Sequence, residues 1–159
     1  MLRAIALLTA LTCGSAAVAQ TNINLGGLSA DPSAPVEVSA DSLSVDQDSG
    51  TAVFTGNVVI GQGDLRLNAG NVQVIYSEAT GDIARLVASG GVTFVTATEA
   101  AEAQSADYDL TGGTLVLSGE VLLTQGASAL SADEMRIDLD SGNATMTGRV
   151  RTVFQQGGN

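Results

Sequence analysis

Few of the side chains that carry out most enzymatic and metal chemistry occur in this sequence. It has no histidine and no lysine, and one cysteine, Cys13. Without histidine, a Ser-His-Asp triad, a Cys-His pair and the common zinc sites are excluded. Without lysine there is neither a Schiff-base amine nor a phosphate-loop cation. Carboxylates remain. Asp46-x-Asp48-x-Gly50 and Asp138-x-Asp140-x-Gly142 are spaced like the start of a calcium loop. Both lack the third ligand and the distal glutamate, so they read as hairpin turns. Asp133-Glu134 could supply one half of a paired-carboxylate hydrolytic site, but nothing in the pattern sets a second carboxylate across a cleft from it. Gly61-Gln62-Gly63 is followed by no helical period and is not a phosphate cradle. The expectation is a protein that is not an enzyme, with no catalytic residues, no metal site and no cofactor.

The charge narrows the partners. All six cations are arginines, against 17 acidic residues, for a net charge of −11. Such a surface is unsuited to nucleic acid, and equally to being held on anionic lipid by basic charge. The first residues read as an address. Arg3 precedes the apolar run Ala4 to Leu11, and Ala17-Val18-Ala19 fits a small-x-small cleavage site, so residues 1–19 are expected to be a secretory signal. The alternatives are an uncleaved anchor and a lipid-acylated Cys13, although Thr12 is a poor neighbour for acylation. Cleavage would leave a chain without cysteine, stabilised by its core alone.

The elements that would position any site are strands. Residues 20–35, with Gly26-Gly27, Asp31-Pro32 and Pro35, show no period and are expected to be a mobile leader. From Val36 onward apolar residues alternate: Val36 and Val38, Leu43 and Val45, Ala52 and Phe54, and so on to Val150 and Phe154. Alternation on this scale predicts half-buried strands. Turns at Asp48-Ser49-Gly50, Gly61-Gln62-Gly63, Thr80-Gly81-Asp82, Gly112-Gly113 and Ser141-Gly142-Asn143 space them about 8–10 residues apart. Ala97 to Ala106 is ambiguous, with a possible helical turn, and is read as strand or loop.

A repeat runs through the pattern. Gly56-Asn57-Val58, Gly90-Gly91-Val92, Gly119-Glu120-Val121 and Gly148-Arg149-Val150 recur at intervals of 34, 29 and 29 residues. Ala40-Asp41, Ala106-Asp107 and Ala132-Asp133 form an upstream companion, with Ala69-Gly70 as a worn copy. The glycines are expected to permit a bend or bulge where the chain turns a corner of the sheet. Four units of about four strands give roughly 16 short strands that must stack to bury their apolar faces.

Two stretches carry a family resemblance. One runs from Phe54 through Gly56-Asn57-Val58-Val59-Ile60-Gly61-Gln62-Gly63-Asp64-Leu65 to Ala69. The other runs from Leu117 to Gly126, followed by Leu130-Ser131-Ala132-Asp133-Glu134-Met135. Both resemble the OstA-like family, and the likeness extends from about Val36 to Phe154. The resemblance implies an all-β, twisted antiparallel β-jelly roll of about 16 short strands over residues 36–155, with a frayed end at 156–159. It implies a periplasmic protein that binds lipopolysaccharide acyl chains in an apolar groove during export. It also implies end-to-end association with copies of itself and with inner-membrane-anchored and outer-membrane jelly-roll partners. A cleavable signal favours the free bridging type within the family. The acidity and lack of lysine depart from better-known members and argue against a basic clamp on lipid phosphates. The expected groove walls are Phe54, Val58, Ile60, Leu65, Leu67, Val74, Val92, Phe94, Leu115, Leu117, Val121, Met135 and Ile137. In sequence, a solid core and a lipid groove look alike, since both need alternating apolar residues. The alternative is therefore a structural β-repeat surface or adhesin-like protein without cargo.

Overall fold

The computed structural model describes residues 22–24 and 34–153; the signal, Cys13, most of the leader, Phe154 and residues 156–159 lie outside them. All regular structure among the described residues is β. In chain order the strands are β1 (Asn22–Asn24), β2 (Val36–Ser39), β3 (Ser42–Asp46), β4 (Thr51–Gln62), β5 (Leu65–Tyr76), β6 (Ile83–Val95), β7 (Glu99–Asp109), β8 (Thr114–Gln125), β9 (Ser128–Asp138), β10 (Asn143–Thr147) and β11 (Arg151–Val153). Every pairing is antiparallel, and the main order is β1-β10-β9-β8-β7-β6-β5-β4-β2, with β3 on β4 and β11 on β9. Three residues of the segment expected as a leader thus join the sheet, Ile23 standing opposite Ala144.

Eleven strands stand where about 16 short ones were expected. Six of the eleven, β4 to β9, run 11 to 13 residues and cross the Gly-x-Val corners without losing their partners. The register shifts at each corner instead: between Thr55 and Val58, Asn68 and Asn71, Ser89 and Val92, Glu102 and Ser105, and Ser118 and Val121. The corners are the expected bulges, but they lie inside continuous strands and do not divide them, which lowers the count.

The corners fold the sheet into two layers. β3 pairs with residues 51–55 of β4, while β2 pairs with residues 59–62 on the far side of the bulge. Likewise β10 pairs with the second half of β9 and β11 with its first half. The inward faces of the β3 layer and the β2 layer bury one apolar cluster between them. Only hydrogen-bonded neighbours bring their Cα atoms within 8 Å. The layers therefore meet through side chains alone, as face-to-face sheets do at about 10 Å.

The other local expectations resolve in detail. Ala97 to Ala106 contributes to strand β7. Gly61 and Gln62 stay in β4, and the turn falls at Gly63 and Asp64. The two acidic triplets are turns. Asp46 Oδ1 accepts the backbone N–H of Asp48 at 2.9 Å and of Ser49 at 3.2 Å. Asp138 Oδ1 accepts those of Asp140 and Ser141 at 3.1 and 2.9 Å. In both, the hydrogen bonds from the serine hold the carboxyl below the usual aspartate range.

Candidate functional site

The corner is the device from which the interior is built. In each Gly-x-Val both Gly and x adopt a left-handed backbone, for example Gly56 at φ 80° with Asn57 at 46°, and Gly148 at 74° with Arg149 at 43°. Glycine is required at the first position for a second reason. A Cβ on Gly56 would collide with the Asp41 side chain, and one on Gly148 with that of Asp133. The facing residue closes the corner. Asp41 N–H donates to Gly56 C=O at 2.9 Å, and Asp133 N–H to Gly148 C=O at 2.8 Å. The x side chain then reaches the same neighbour. Asn57 Nδ2 donates to Asp41 Oδ2 at 2.8 Å, Gln104 Nε2 to Glu120 Oε2 at 2.9 Å, and Arg149 Nη2 to Asp133 Oδ1 at 2.6 Å. The hydrogen bond from Arg149 holds the Asp133 carboxyl below its ordinary range.

This geometry corrects one element of the repeat. Asp41, Gln104 and Asp133 each precede their corner glycine by 15 residues, so Ala103-Gln104 is the true third copy. Ala106-Asp107 is out of register; Asp107 instead forms an ion pair with Arg85 on the outer face.

Between the layers, inward positions line up in rows that run across the strands. In the β2 layer the cross-strand register links Val38, Ile60, Leu67, Phe94, Ala101, Leu123 and Leu130. In the β3 layer one row links Leu43, Phe54, Val72, Ala88, Ala106, Leu117, Met135 and Met146. The next links Val45, Ala52, Val74, Leu86, Tyr108, Leu115, Ile137 and Ala144. Val58, Val92 and Val121 stand beside the corners, and Leu65 near the outer rim. All thirteen expected groove residues therefore face one interior. Twelve are buried, and Phe54 packs against the cluster while half-buried. Apolar periodicity did not single out the buried alanines Ala88, Ala101, Ala106 and Ala132.

Along most of its length the interior is filled by its own side chains; Phe94, Leu117, Met135 and Ile137 have no solvent exposure. The β3 edge is different. Leu43 lies opposite Phe54 and Val45 opposite Ala52, so both point inward, yet they are 55% and 60% exposed. Among the described residues no strand lies beyond them, and the apolar wall is open there. Leu43 and Val45 were visible as part of the alternation but not as a site, because alternation marks a face and not an edge.

The two rims opposite the corners differ in chemistry. In the β2 layer the outermost inward positions include Gln62, Glu99 and Gln125; Gln62 and Glu99 are buried at 5% and 4% exposure. Tyr108, from the β3 layer, donates its hydroxyl to Gln62 Oε1 at 3.2 Å and ties the layers across the open side. Burial pushes the Tyr108 hydroxyl above its usual pKa, with a smaller push from Asp140. Among the described residues there is no cluster of carboxylate, thiol or imidazole groups able to hold a metal ion.

Residues 37–153 match the family described as LptA/(LptD N-terminal domain) LPS transport protein. The chain belongs to this family. Membership brings a role in lipopolysaccharide transport. The chain is 32% identical over 152 residues to an uncharacterised protein of Rhizobium meliloti, across 90% of this chain and 82% of that one. Its fold is shared with the crystal structure of LptH, described as the LptA-homologous periplasmic component of the lipopolysaccharide transport device of Pseudomonas aeruginosa. The TM-score is 0.72 at 20% identity, across 80% of this chain and 99% of that one. The likeness to LptH concerns the fold, and the OstA-like resemblance and the family match converge on the same residues.

Proposed function

We propose that this member of the family carries lipopolysaccharide by its acyl chains between the two layers, in the periplasm, and assembles end to end into a bridge between the membranes. The observation that supports this reading is the set of apolar rows, continuous from β2 and β3 at one end to β9 and β10 at the other and opening to solvent at Leu43 and Val45. Phe54, Val58, Ile60, Leu65, Leu67, Val74, Val92, Phe94, Leu115, Leu117, Val121, Met135 and Ile137 form the proposed lipid-facing wall.

Entry requires the layers to part, because the wall side chains are buried against one another. Opening pivots on the bulged corners, and across the open side it breaks the Tyr108–Gln62 hydrogen bond. Acyl burial offsets the exposed wall. Each CH₂ contributes up to about 0.8 kcal/mol, so one chain of ordinary length contributes on the order of 10 kcal/mol before the costs of association. No basic clamp on the phosphates is needed for affinity of that size.

Bridging follows from the ends. β2 and β3 lie at one edge of the sheet and β11 at the other, and unpaired edges accept a further strand. Joining unlike ends is a heterologous contact that continues into a filament. The expected partners are a second copy of the chain and the jelly-roll modules of inner- and outer-membrane components. A signal over residues 1–19 delivers the chain to that compartment.

The test is photocrosslinking in cells from a photoreactive residue at Phe54 or at Leu117. Both positions crosslink to lipopolysaccharide if the interior carries it. A scaffold without cargo gives no lipid adduct at either, and that result rejects the proposal.

A further inference from the structure

One interior side chain is not explained by apolar packing. Glu99 sits on the inner face of β7, in register with Gln125 of β8 and two residues outward from Ala101 of the apolar row. Gln125 Nε2 donates to Glu99 Oε1 at 2.6 Å. The Glu99 backbone N–H reaches Thr96 Oγ1 at 3.2 Å, which fixes the start of the strand. The second carboxyl oxygen, Oε2, is buried and has no hydrogen-bond partner, alone among the buried side-chain polar atoms described. The two ion pairs among the described residues, Arg85–Asp107 and Arg149–Asp133, leave Glu99 without a cation. A buried oxygen without a donor is destabilising, and Gln125 orients the carboxyl so that one oxygen stays free.

We infer that Glu99, oriented by Gln125, is the hydrogen-bond acceptor of the cargo site and takes an N–H or O–H at the root of an acyl chain. This rests on the lipid-carrying reading. The free oxygen and its position define the donor. With Gln125 Nε2 on Oε1, the unpartnered Oε2 is a free acceptor site, which a ligand atom carrying a hydrogen would satisfy. Glu99 lies between the apolar row that passes through Phe94 and Ala101 and the rim where the layers open. A tail that reaches this row past the open rim therefore carries its headgroup-proximal atoms beside Glu99. An amide-linked hydroxyacyl chain places an N–H and an O–H there, whereas an ester-linked unsubstituted chain places none. Glu99 thereby distinguishes lipids that the apolar rows would accept equally, since a site built to hydrogen-bond a donor rejects the analogue lacking it.

The experiment compares the full-length secreted chain with Glu99→Gln and Glu99→Leu. Binding is measured to lipopolysaccharide with amide-linked hydroxyacyl chains and to a phosphatidic acid of matched chain length. Glu99→Gln keeps the volume and the bond to Gln125 but turns the free acceptor into a donor. It is expected to weaken lipopolysaccharide at least about tenfold, a change of about 1.4 kcal/mol, and phosphatidic acid by less than about twofold. Glu99→Leu is expected to lose lipopolysaccharide similarly while raising the urea midpoint, because it removes the unsatisfied oxygen. Lipopolysaccharide binding unchanged in both variants overturns the inference, as does an equal loss for both lipids. A wild-type chain that binds neither lipid rejects the carrier reading itself.

Discussion

The two edges of the β3 layer use the same alternation and end differently. At one edge, Leu43 and Val45 face inward and are more than half exposed; at the other, Met146 and Ala144 face inward in the same two rows and are 3% and 1% exposed. The difference is what lies beyond. β10 is followed by β1, which pairs with its outer side, while among the described residues no strand pairs beyond β3. An inward-facing residue is therefore buried by its position along the sheet as much as by its face. The open edge is where the proposed end-to-end contact and the proposed lipid entry would meet the apolar rows.

The contrast is sharpest under truncation. Met146→Ala should destabilise by about 2–4 kcal/mol, and Leu43→Ala by less than about 1 kcal/mol, as read by urea unfolding. Equal losses would mean that the β3 edge is covered in solution. The corners supply a control, because they are the same at both edges. Gly56→Ala and Gly148→Ala should each cost about 1–3 kcal/mol, since each forces a side chain into a left-handed backbone and against a facing aspartate. A large disparity between them would show that the edges differ in backbone strain and not only in cover.

A third change separates association from stability. Leu43→Asp combined with Val45→Asp should alter unfolding by less than about 0.5 kcal/mol, because both sites are already wet. The same double variant should lower the average mass at high protein concentration in sedimentation. Association that survives it would move the contact away from this edge.

The smallest effect is electrostatic. Asp46 lies at the turn beside the open edge and Asp138 at the turn beside the closed one, and both carboxyls are held below their ordinary range. A folded-state pKa below the unfolded one gives stability that is present above the ordinary aspartate value of about 3.9. It is lost as pH falls through the lowered one. Urea midpoints from neutral pH to pH 3 should fall, and Asp46→Asn and Asp138→Asn should blunt that fall equally. An unequal response would make charge, and not apolar cover, part of the difference between the edges.

Much of this was legible from residue order. Alternation identified the strands and the inward face of every expected groove residue, because a period of two survives whichever strands pair. The strand count was not legible, since a Gly-x pair inside a continuous strand looks like the gap between two. The edges were hidden for the same reason, as pairing across the sheet leaves no mark on one strand's own pattern. Glu99 is the clearest case. Glu99 and Glu102 lie three residues apart in a stretch with a helical spacing, and only the pairing with β8 turns Glu99 inward, leaving Glu102 exposed.

The corner glycines at Gly90, Gly119 and Gly148 recur every 29 residues, and each interval spans two strands that touch only their immediate neighbours. Duplicating one interval would therefore lengthen the trough by about 10 Å, two strand spacings, while leaving its cross-section and both terminal strands unchanged. The fold is in that sense a ruler graduated in hairpins, whose reach can be altered by whole units without redesigning its interior or its terminal strands.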